Sequence, residues 1–418
     1  MKVFKFGGAS IKNAVALKNM SRIIAQHANE KLVVVVSAMG KTTNALEQIL
    51  NAKFQKQETA ELIKDLRQYH AEIIVSLFPT DNNVTHLVDT IFEYLEERLN
   101  QPFGYDELYD QVVSCGELLS STIVAEYLKS TKLQVHWLDA REYVKTNDNF
   151  REGIVDWRLT EELIKHDVGE IAKSKIVLTQ GFIGSADNGQ TTTLGREGSD
   201  FTAAIFASAL HAEHVCVWKD VPGILNADPK LVSDAILFAE LPYHEAAEMT
   251  YYGATVIHPK TIKPLANKHI PLLVKSFDQP DASGTIIHDC EVKDLPPCTI
   301  IKNDQVLISF KVIDFTFVNE ENLSRIFHEL SIVDLKINIM QNSAISFSIV
   351  VDNQPLKIDK VMEALKPHFE IRYNTGLQLT TIKNYTPQKL KEFANVENIL
   401  LEQISRNNYR VLTAPTAQ

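Results

Sequence analysis

The sequence predicts an α/β protein in two parts: a mostly parallel sheet sandwiched by helices, then a smaller ferredoxin-like region. Three observations predict it. Short β-branched runs alternate with helical stretches through residues 1–290, the pattern of strands linked by crossover helices. Each run closes on a turn of glycines, hydroxyls or charges, where open parallel sheets bind ligands. After Leu295-Pro296-Pro297 the order becomes β-α-β-β-α-β, the ferredoxin-like succession.

Composition bounds the function. A chain of 418 residues fits two or three domains. Its 45% hydrophobic and 23% charged residues are ordinary for a globular protein, and no apolar run is long enough to span a membrane. The net charge of -11 opposes nonspecific binding to nucleic acid or anionic membranes. The opening Met1–Gly8 reads as a strand and turn rather than a signal peptide. Cysteines at 115, 216, 290 and 298 share no CxxC spacing, which argues against zinc or disulfide frameworks and fits a cytoplasmic protein.

In chain order, residues 2–6 form an apolar run with lysines at 2 and 5, closing on Gly7-Gly8-Ala9-Ser10. Ala16, Met20, Ile23 and Ile24 then share one helical face. Leu32–Val36 is a β-branched strand buried on both sides. It ends in Ser37-Ala38-Met39-Gly40-Lys41-Thr42-Thr43-Asn44, which is not a P-loop because Val35 stands where the motif needs glycine. Residues 58–100 supply a helical pair. Ser114–Ser120 is expected to open a helix with Glu117 in its first turn. A carboxylate there serves the helix dipole, worth ~0.3–1 kcal/mol, or holds a ligand ammonium. Further strands end at Thr179-Gln180-Gly181, Lys219-Asp220-Val221-Pro222-Gly223 and Lys275-Ser276.

The densest stretch is Thr191–Asp200, TTTLGREGSD, which runs into a helix with Ser199 as expected N-cap. A helix start attracts anions. Arg196 offers a two-pronged grip on carboxylate or phosphate, and Asp200 offers a carboxylate for magnesium or a lysine. Beyond residue 300, Gln305–Val312, Val333–Met340, Ile345–Val351 and Phe369–Ile382 read as strands. Glu320–Leu330 and Ile358–Leu365 read as helices, Pro387–Ser405 as another helix, and Tyr409–Leu412 as a last strand.

These residues resemble the aspartate kinase family within the amino acid kinase fold, over nearly the whole chain. Lys5–Ser10 is similar to the family's KFGGTS, and Val36–Asn44 to its second-strand turn. Ser114–Ser120 resembles its glutamate-bearing helix, and Thr191–Asp200 its TTTLGRGGSD signature. Lys219–Ile224, Asp228-Pro229-Lys230 and Gly253–Pro259 resemble its nucleotide segments. The resemblance implies a catalytic domain at 1–290, an ACT regulatory domain at 300–383 and a partial second ACT unit at 384–418. It implies transfer of the ATP γ-phosphoryl group to the β-carboxylate of L-aspartate, with ATP and Mg2+ as cofactors and no fixed protein metal site beyond magnesium near Asp200.

By that resemblance Lys5 and Asp200 are catalytic, and Thr43, Glu117, Arg196 and Ser199 bind substrate. Lys5, Gly7, Gly8, Ser10, Lys219, Asp220, Leu225, Lys230, Thr255 and Val256 bind ATP. His258 and the pair Tyr251 and Tyr252 are expected to be structural. Departures are Ala9 for threonine, Glu197 for glycine, Lys219 for threonine, Lys230 for arginine and Thr255 for lysine. Glu197 is expected to point away from the phosphates or to meet a cation such as Lys41. The implied partners are a lysine or threonine effector and further copies of the chain in a homodimer or higher homo-oligomer. Asn338 and Glu321 stand where lysine-inhibited members carry aspartate and glycine, which counts against lysine and leaves threonine or no effector open. The rival readings are a kinase for another small carboxylate such as glutamate, and a catalytically silent amino-acid sensor.

Overall fold

Among the described residues of the first 290, eleven strands occur: β1 (Lys2–Phe6), β2 (Leu32–Val36), β3 (Val135–Leu138), β4 (Lys145–Thr146), β5 (Ile176–Gln180), β6 (Ile183–Ala186), β7 (Thr191–Thr193), β8 (His214–Lys219), β9 (Glu240–Pro242), β10 (Leu272–Ser276) and β11 (Thr285–His288). Eight of them form one sheet in the order β3-β5-β2-β1-β8-β10-β11-β9. Every pair is parallel except β10–β11. All five residues of β2 are buried, as a central strand with helices on both faces requires. β4, β6 and β7 form a small separate sheet. The computed structural model describes residues 1–80, 83–232, 234–254, 257–313, 316–391 and 398–414. They fall into two compact units, the first made of Met1–Ile224, Leu237–Thr250 and Thr255–Val292.

The helical pair expected at 58–100 is present as Ala60–Leu77 and Asn83–Leu99. The expectation for Glu117 needs correcting. The helix runs Tyr105–Ser130, so Glu117 sits in its middle and no dipole role applies. Leu108, Val112 and Val113 extend the buried face upstream. Gly116, read as a helix start, is a close-packing position instead: a Cβ there would lie 3.0–3.1 Å from Thr42, Ala38 and Leu46.

The second unit comprises Leu225–Ile236, Tyr251–Ala254 and Lys293–Gln418. Its strands are β12 (Cys298–Val312), β13 (Ile337–Asn342), β14 (Ser346–Asp352), β15 (Phe369–Lys383), β16 (Ile399–Ile404) and β17 (Asn408–Thr413). They form an antiparallel sheet in the order β13-β14-β12-β15-β17-β16. Helices Glu320–Ile332 and Pro355–Leu365 pack over Ile308, Phe310, Ile349 and Phe369. The first four strands of that order are the ferredoxin-like arrangement. The helix expected over Pro387–Ser405 is shorter: Pro387–Lys391 is helical and Ile399–Ile404 is a strand. A tight Ser405–Asn408 turn folds it onto β17; residues 392–397 lie outside those described. Asn338 donates to Gln305 (2.7 Å) and Asp352 (3.0 Å) and accepts from Lys302 (3.0 Å). Among the described residues no helix is long and apolar enough to cross a membrane.

Candidate active site

The site is built where β1, β2 and β5 end. Gly7-Gly8 follows β1 directly, and the Gly40 N–H donates to the Gly8 carbonyl at 3.0 Å, so the turns after β1 and β2 are knitted together. A Cβ on Gly8 would lie 2.6 Å from the Ala38 carbonyl oxygen, so only glycine permits this approach. Gly181 after β5 is equally constrained, since a Cβ would sit 2.5 Å from that of Ser199. These contacts hold the start of the Gly198–Leu210 helix against the strand ends. Glu197, not Ser199, caps that helix, in a left-handed conformation (φ 56°) and without a side-chain capping bond. The Gly198 N–H donates to the Gly195 carbonyl at 3.0 Å, and this tight turn moves the helix cap from the expected Ser199 back to Glu197.

Lys5 reaches out of β1 to Asp200 in the first turn of this helix, Nζ to Oδ1 at 2.6 Å, and both are buried. Lys219, at the end of β8, meets the other Asp200 oxygen at 3.2 Å and Glu197 at 3.5 Å. Burial alone would raise Asp200, but Lys5 and Lys219 outweigh it and hold its carboxyl well below the ordinary range. Glu197 moves the other way: burial raises it, with Lys219 opposing and Asp200 reinforcing the rise. The cation that Glu197 meets is therefore Lys219 rather than Lys41, which is exposed.

Beside this charge chain lies a cavity of about 470 Å³, lined among others by Lys5, Gly8, Thr43, Glu117, Arg196 and Ser199. Six of the residues predicted from the sequence thus share one space. Glu117 is buried, and desolvation pushes its carboxyl well above the usual range against the pull of Lys5 and the Ala38 N–H. One oxygen accepts from Ala38, while the other has no hydrogen-bond partner among the described residues. Such an orphaned buried acceptor is costly unless a ligand completes it. Arg196 is exposed at the cavity rim.

The predicted nucleotide residues divide. Gly7 lies against Lys5, with a Cβ position 3.5 Å from Nζ. The Ser10 hydroxyl donates to the Trp218 carbonyl at 3.3 Å, tying the first turn to β8. Asp220 is exposed. Leu225 and Lys230 belong to the second unit, where the Lys230 N–H donates to Asp228 at 2.9 Å. Thr255 and Val256 lie outside the described residues. His258 caps the Pro259–Ala266 helix, accepting from the Lys260 N–H at 3.2 Å, a structural role as expected.

Sequence reading missed Tyr109 and Arg151, which also line the cavity. The Arg151 guanidinium lies 4.5 Å from the Tyr109 ring centre. Its backbone is left-handed (φ 68°), and its N–H donates to buried Asp110 at 2.9 Å. Asp110 also accepts from the Thr193 N–H (2.8 Å) and hydroxyl (2.7 Å), linking the long helix to β7. The only local signal was the Asn147-Asp148-Asn149 turn cluster ahead of Arg151.

A doubly wound sheet that presents a Gly-Gly turn, a buried lysine–aspartate pair and a facing glutamate defines a phosphotransferase for a small charged acceptor. The family model described as amino acid kinase family matches residues 1–276. The lysine-sensitive aspartokinase 3 of Escherichia coli (strain K12) is 33% identical over 356 residues, covering 84% of this chain and 78% of that protein. The crystal structure of E. coli aspartokinase III in complex with aspartate and ADP superposes with a TM-score of 0.86 at 29% identity, covering 99% of this chain and 96% of the other. Its complex with lysine and aspartate gives 0.80 at 28% identity, with the same coverage. A bifunctional aspartokinase/homoserine dehydrogenase of Haemophilus influenzae is 33% identical over 69% of this chain, which spans only 36% of that longer protein. The chain belongs to the amino acid kinase family, as one of its aspartate kinases.

Proposed function

We propose that the chain transfers the γ-phosphoryl group of ATP to the β-carboxylate of L-aspartate, giving 4-phospho-L-aspartate. The observation that carries this reading is the Lys5–Asp200 pair (2.6 Å) beside a cavity into which Glu117 brings an unpartnered carboxylate oxygen. Phosphoryl transfer asks for alignment and charge neutralisation rather than covalent help. Lys5, held by Asp200, meets the transferring oxygens as their charge shifts. The Gly7 and Gly8 N–H groups face the phosphates. Glu117 pairs with the substrate ammonium, Arg196 takes its α-carboxylate, and Thr43 and Ser199 add hydrogen bonds. By the family resemblance we assign Ser10, Lys219, Asp220, Leu225, Lys230, Thr255 and Val256 to nucleotide binding.

Magnesium fits this site as the nucleotide's companion ion. Among the described residues the Asp200 oxygens face Lys5, Lys219 and Glu197, and both are hard oxygen ligands of the kind magnesium takes. Asp200 would face the ion, which when bound neutralises phosphate charge. We assign catalysis to 1–290, an ACT domain to 300–383 and a partial second unit to 384–418. If the chain is regulated, an amino-acid effector acts through that C-terminal region. Threonine is favoured over lysine, because Asn338 and Glu321 stand where lysine-inhibited members carry aspartate and glycine. The working form is a homodimer or higher homo-oligomer in the cytoplasm.

A coupled assay of ADP release with ATP and L-aspartate tests the reaction. Aspartate-dependent turnover well above that with L-glutamate is expected. Equal turnover favours the broader carboxylate kinase, and none at all favours the silent sensor.

A further inference from the structure

The outer edge of the eight-stranded sheet carries a cluster that phosphoryl transfer does not use. β9 contributes Glu240, β11 contributes His288, and Cys290 follows two residues on. β9 and β11 run parallel, with Ile286 opposite Glu240 and His288 opposite Pro242. The Glu240 carboxylate, the His288 ring and the Cys290 sulfur offer ligand atoms that all lie within 4.8 Å of one another. His288 Nε2 is 3.1 Å from Glu240 Oε2. None of the three lines the acceptor cavity.

We propose that Glu240, His288 and Cys290 form a binding site for a thiophilic divalent cation of the zinc class. Tetrahedral coordination, with bonds of about 2.0–2.1 Å to nitrogen and oxygen and about 2.3 Å to sulfur, sets ligand–ligand edges of roughly 3.3–3.6 Å. The His288–Glu240 edge already stands close to that range. The Cys290 sulfur must approach by at most about 1.5 Å, within reach of a side-chain torsion at a half-buried residue.

Charge favours the ion as well. A thiolate and a carboxylate neutralise a dication, and neighbouring Asp289, engaged by His269, adds negative potential without taking a ligand position. The sulfur and the imidazole select zinc, cobalt or copper over magnesium and calcium, which prefer all-oxygen sites. Three protein ligands leave a fourth position for water, and Glu240 is exposed, so the site opens outward. Bound there, the ion ties the three-residue edge strand β9 to β11. Because the ligands come from two strands and a following loop, no CxxC-like spacing announces them.

Cobalt(II) titration of the full-length, metal-free protein tests the site, with zinc as competitor. Cys115, Cys216 and Cys298 are buried, so a thiolate-to-cobalt charge-transfer band in the near ultraviolet reports Cys290. One equivalent of cobalt is expected to give that band, and zinc to bleach it. Cys290→Ser should abolish it, and His288→Ala should weaken binding roughly tenfold or more, since even an outer partner costs that much. Both variants should keep their far-ultraviolet circular dichroism and aspartate-dependent ADP release. Zinc should raise the melting temperature of the wild type but not of Cys290→Ser. No charge-transfer band, a band that survives in Cys290→Ser, or equal zinc stabilisation of both proteins would overturn the proposal. Failure of aspartate turnover in the wild type would instead strike the phosphotransferase reading and leave the metal test standing.

Discussion

Lys5 sits inside an apolar strand, with a helix-borne carboxylate 2.6 Å from its ammonium. A buried ion pair of this kind is poor evidence for stability, because desolvation of two charges cancels much of their attraction. In the proposed reaction its value lies in presenting a fixed ammonium to a shifting negative charge. Lys5→Ala is therefore expected to lower kcat by roughly 10²–10³, the scale for losing one transition-state charge contact. Steady-state kinetics alongside circular dichroism separates this from misfolding, because Lys219 still faces Asp200 in the variant. Glu117 gives a second expectation, through pH. Burial raises its carboxyl well above the usual range, so in the free protein it holds its proton to higher pH than an exposed glutamate. Pairing with a substrate ammonium requires the ionised form, so KM for aspartate should fall as pH rises through that raised pKa. Glu117→Gln should flatten the profile and raise KM roughly 10–100-fold, the worth of a charged hydrogen bond. A pH profile of KM unchanged by the substitution would remove Glu117 from the substrate site.

At the scale of elements, Asp110 joins the Tyr105–Ser130 helix to β7 and to the Arg151 backbone through three accepted hydrogen bonds. Burial nevertheless dominates and lifts its carboxyl to about 6, above the roughly 3.9 of an unfolded chain. The sign follows from proton counting. Below about pH 4 folded and unfolded chains both hold the proton; between about 4 and 6 only the folded chain does. Stability from this group is thus complete at low pH and declines as pH rises through that window. In Asp110→Asn the amide oxygen still accepts from both N–H groups, and its NH₂ can donate to the Thr193 hydroxyl. Relative to wild type, the variant should gain up to about 3 kcal/mol between pH 4 and 6.5, read as urea midpoints at several pH values. A pH-independent difference would show that Asp110 titrates normally. This linkage was invisible in the sequence, as were Tyr109 and Arg151, because helix and loop meet only in three dimensions. What was legible was local: the Gly7-Gly8 turn, the β-branched Leu32–Val36 strand and the TTTLGREGSD stretch each carry their signal in consecutive residues. The extent of the Tyr105–Ser130 helix was misread because Gly116 breaks the pattern in sequence but fills a tight contact in the fold. Ile399–Ile404 was misread because only its pairing with β17 makes it a strand.

For the whole molecule, the change of texture after Leu295-Pro296-Pro297 was legible, because alternation between strand and helix periods survives without any knowledge of contacts. The fate of the C-terminal tail was not. Among the described residues β16 ends the six-stranded sheet, with β17 on one side only. Ile399, Leu400 and Ile404 on it are exposed, as are Met340 on the opposite edge strand and nearby Ile345. An open strand edge with apolar side chains invites pairing and is ordinarily blunted by charge, proline or cover. Among the described residues the tail after β15 adds one short helix and two strands, less than a second complete ferredoxin-like unit. In the proposed homodimer, a second copy of the chain would pair with this edge and cover its apolar side chains. Light scattering should therefore give about twice the 47.1 kDa chain mass. Ile404→Glu sets a charge on an exposed position of that edge and leaves the buried core of the sheet untouched, so it should shift the mass toward one chain without unfolding either unit. A wild-type mass of 47.1 kDa at working concentration, or a dimer indifferent to Ile404→Glu, would move the interface elsewhere and leave the exposed strand without its explanation.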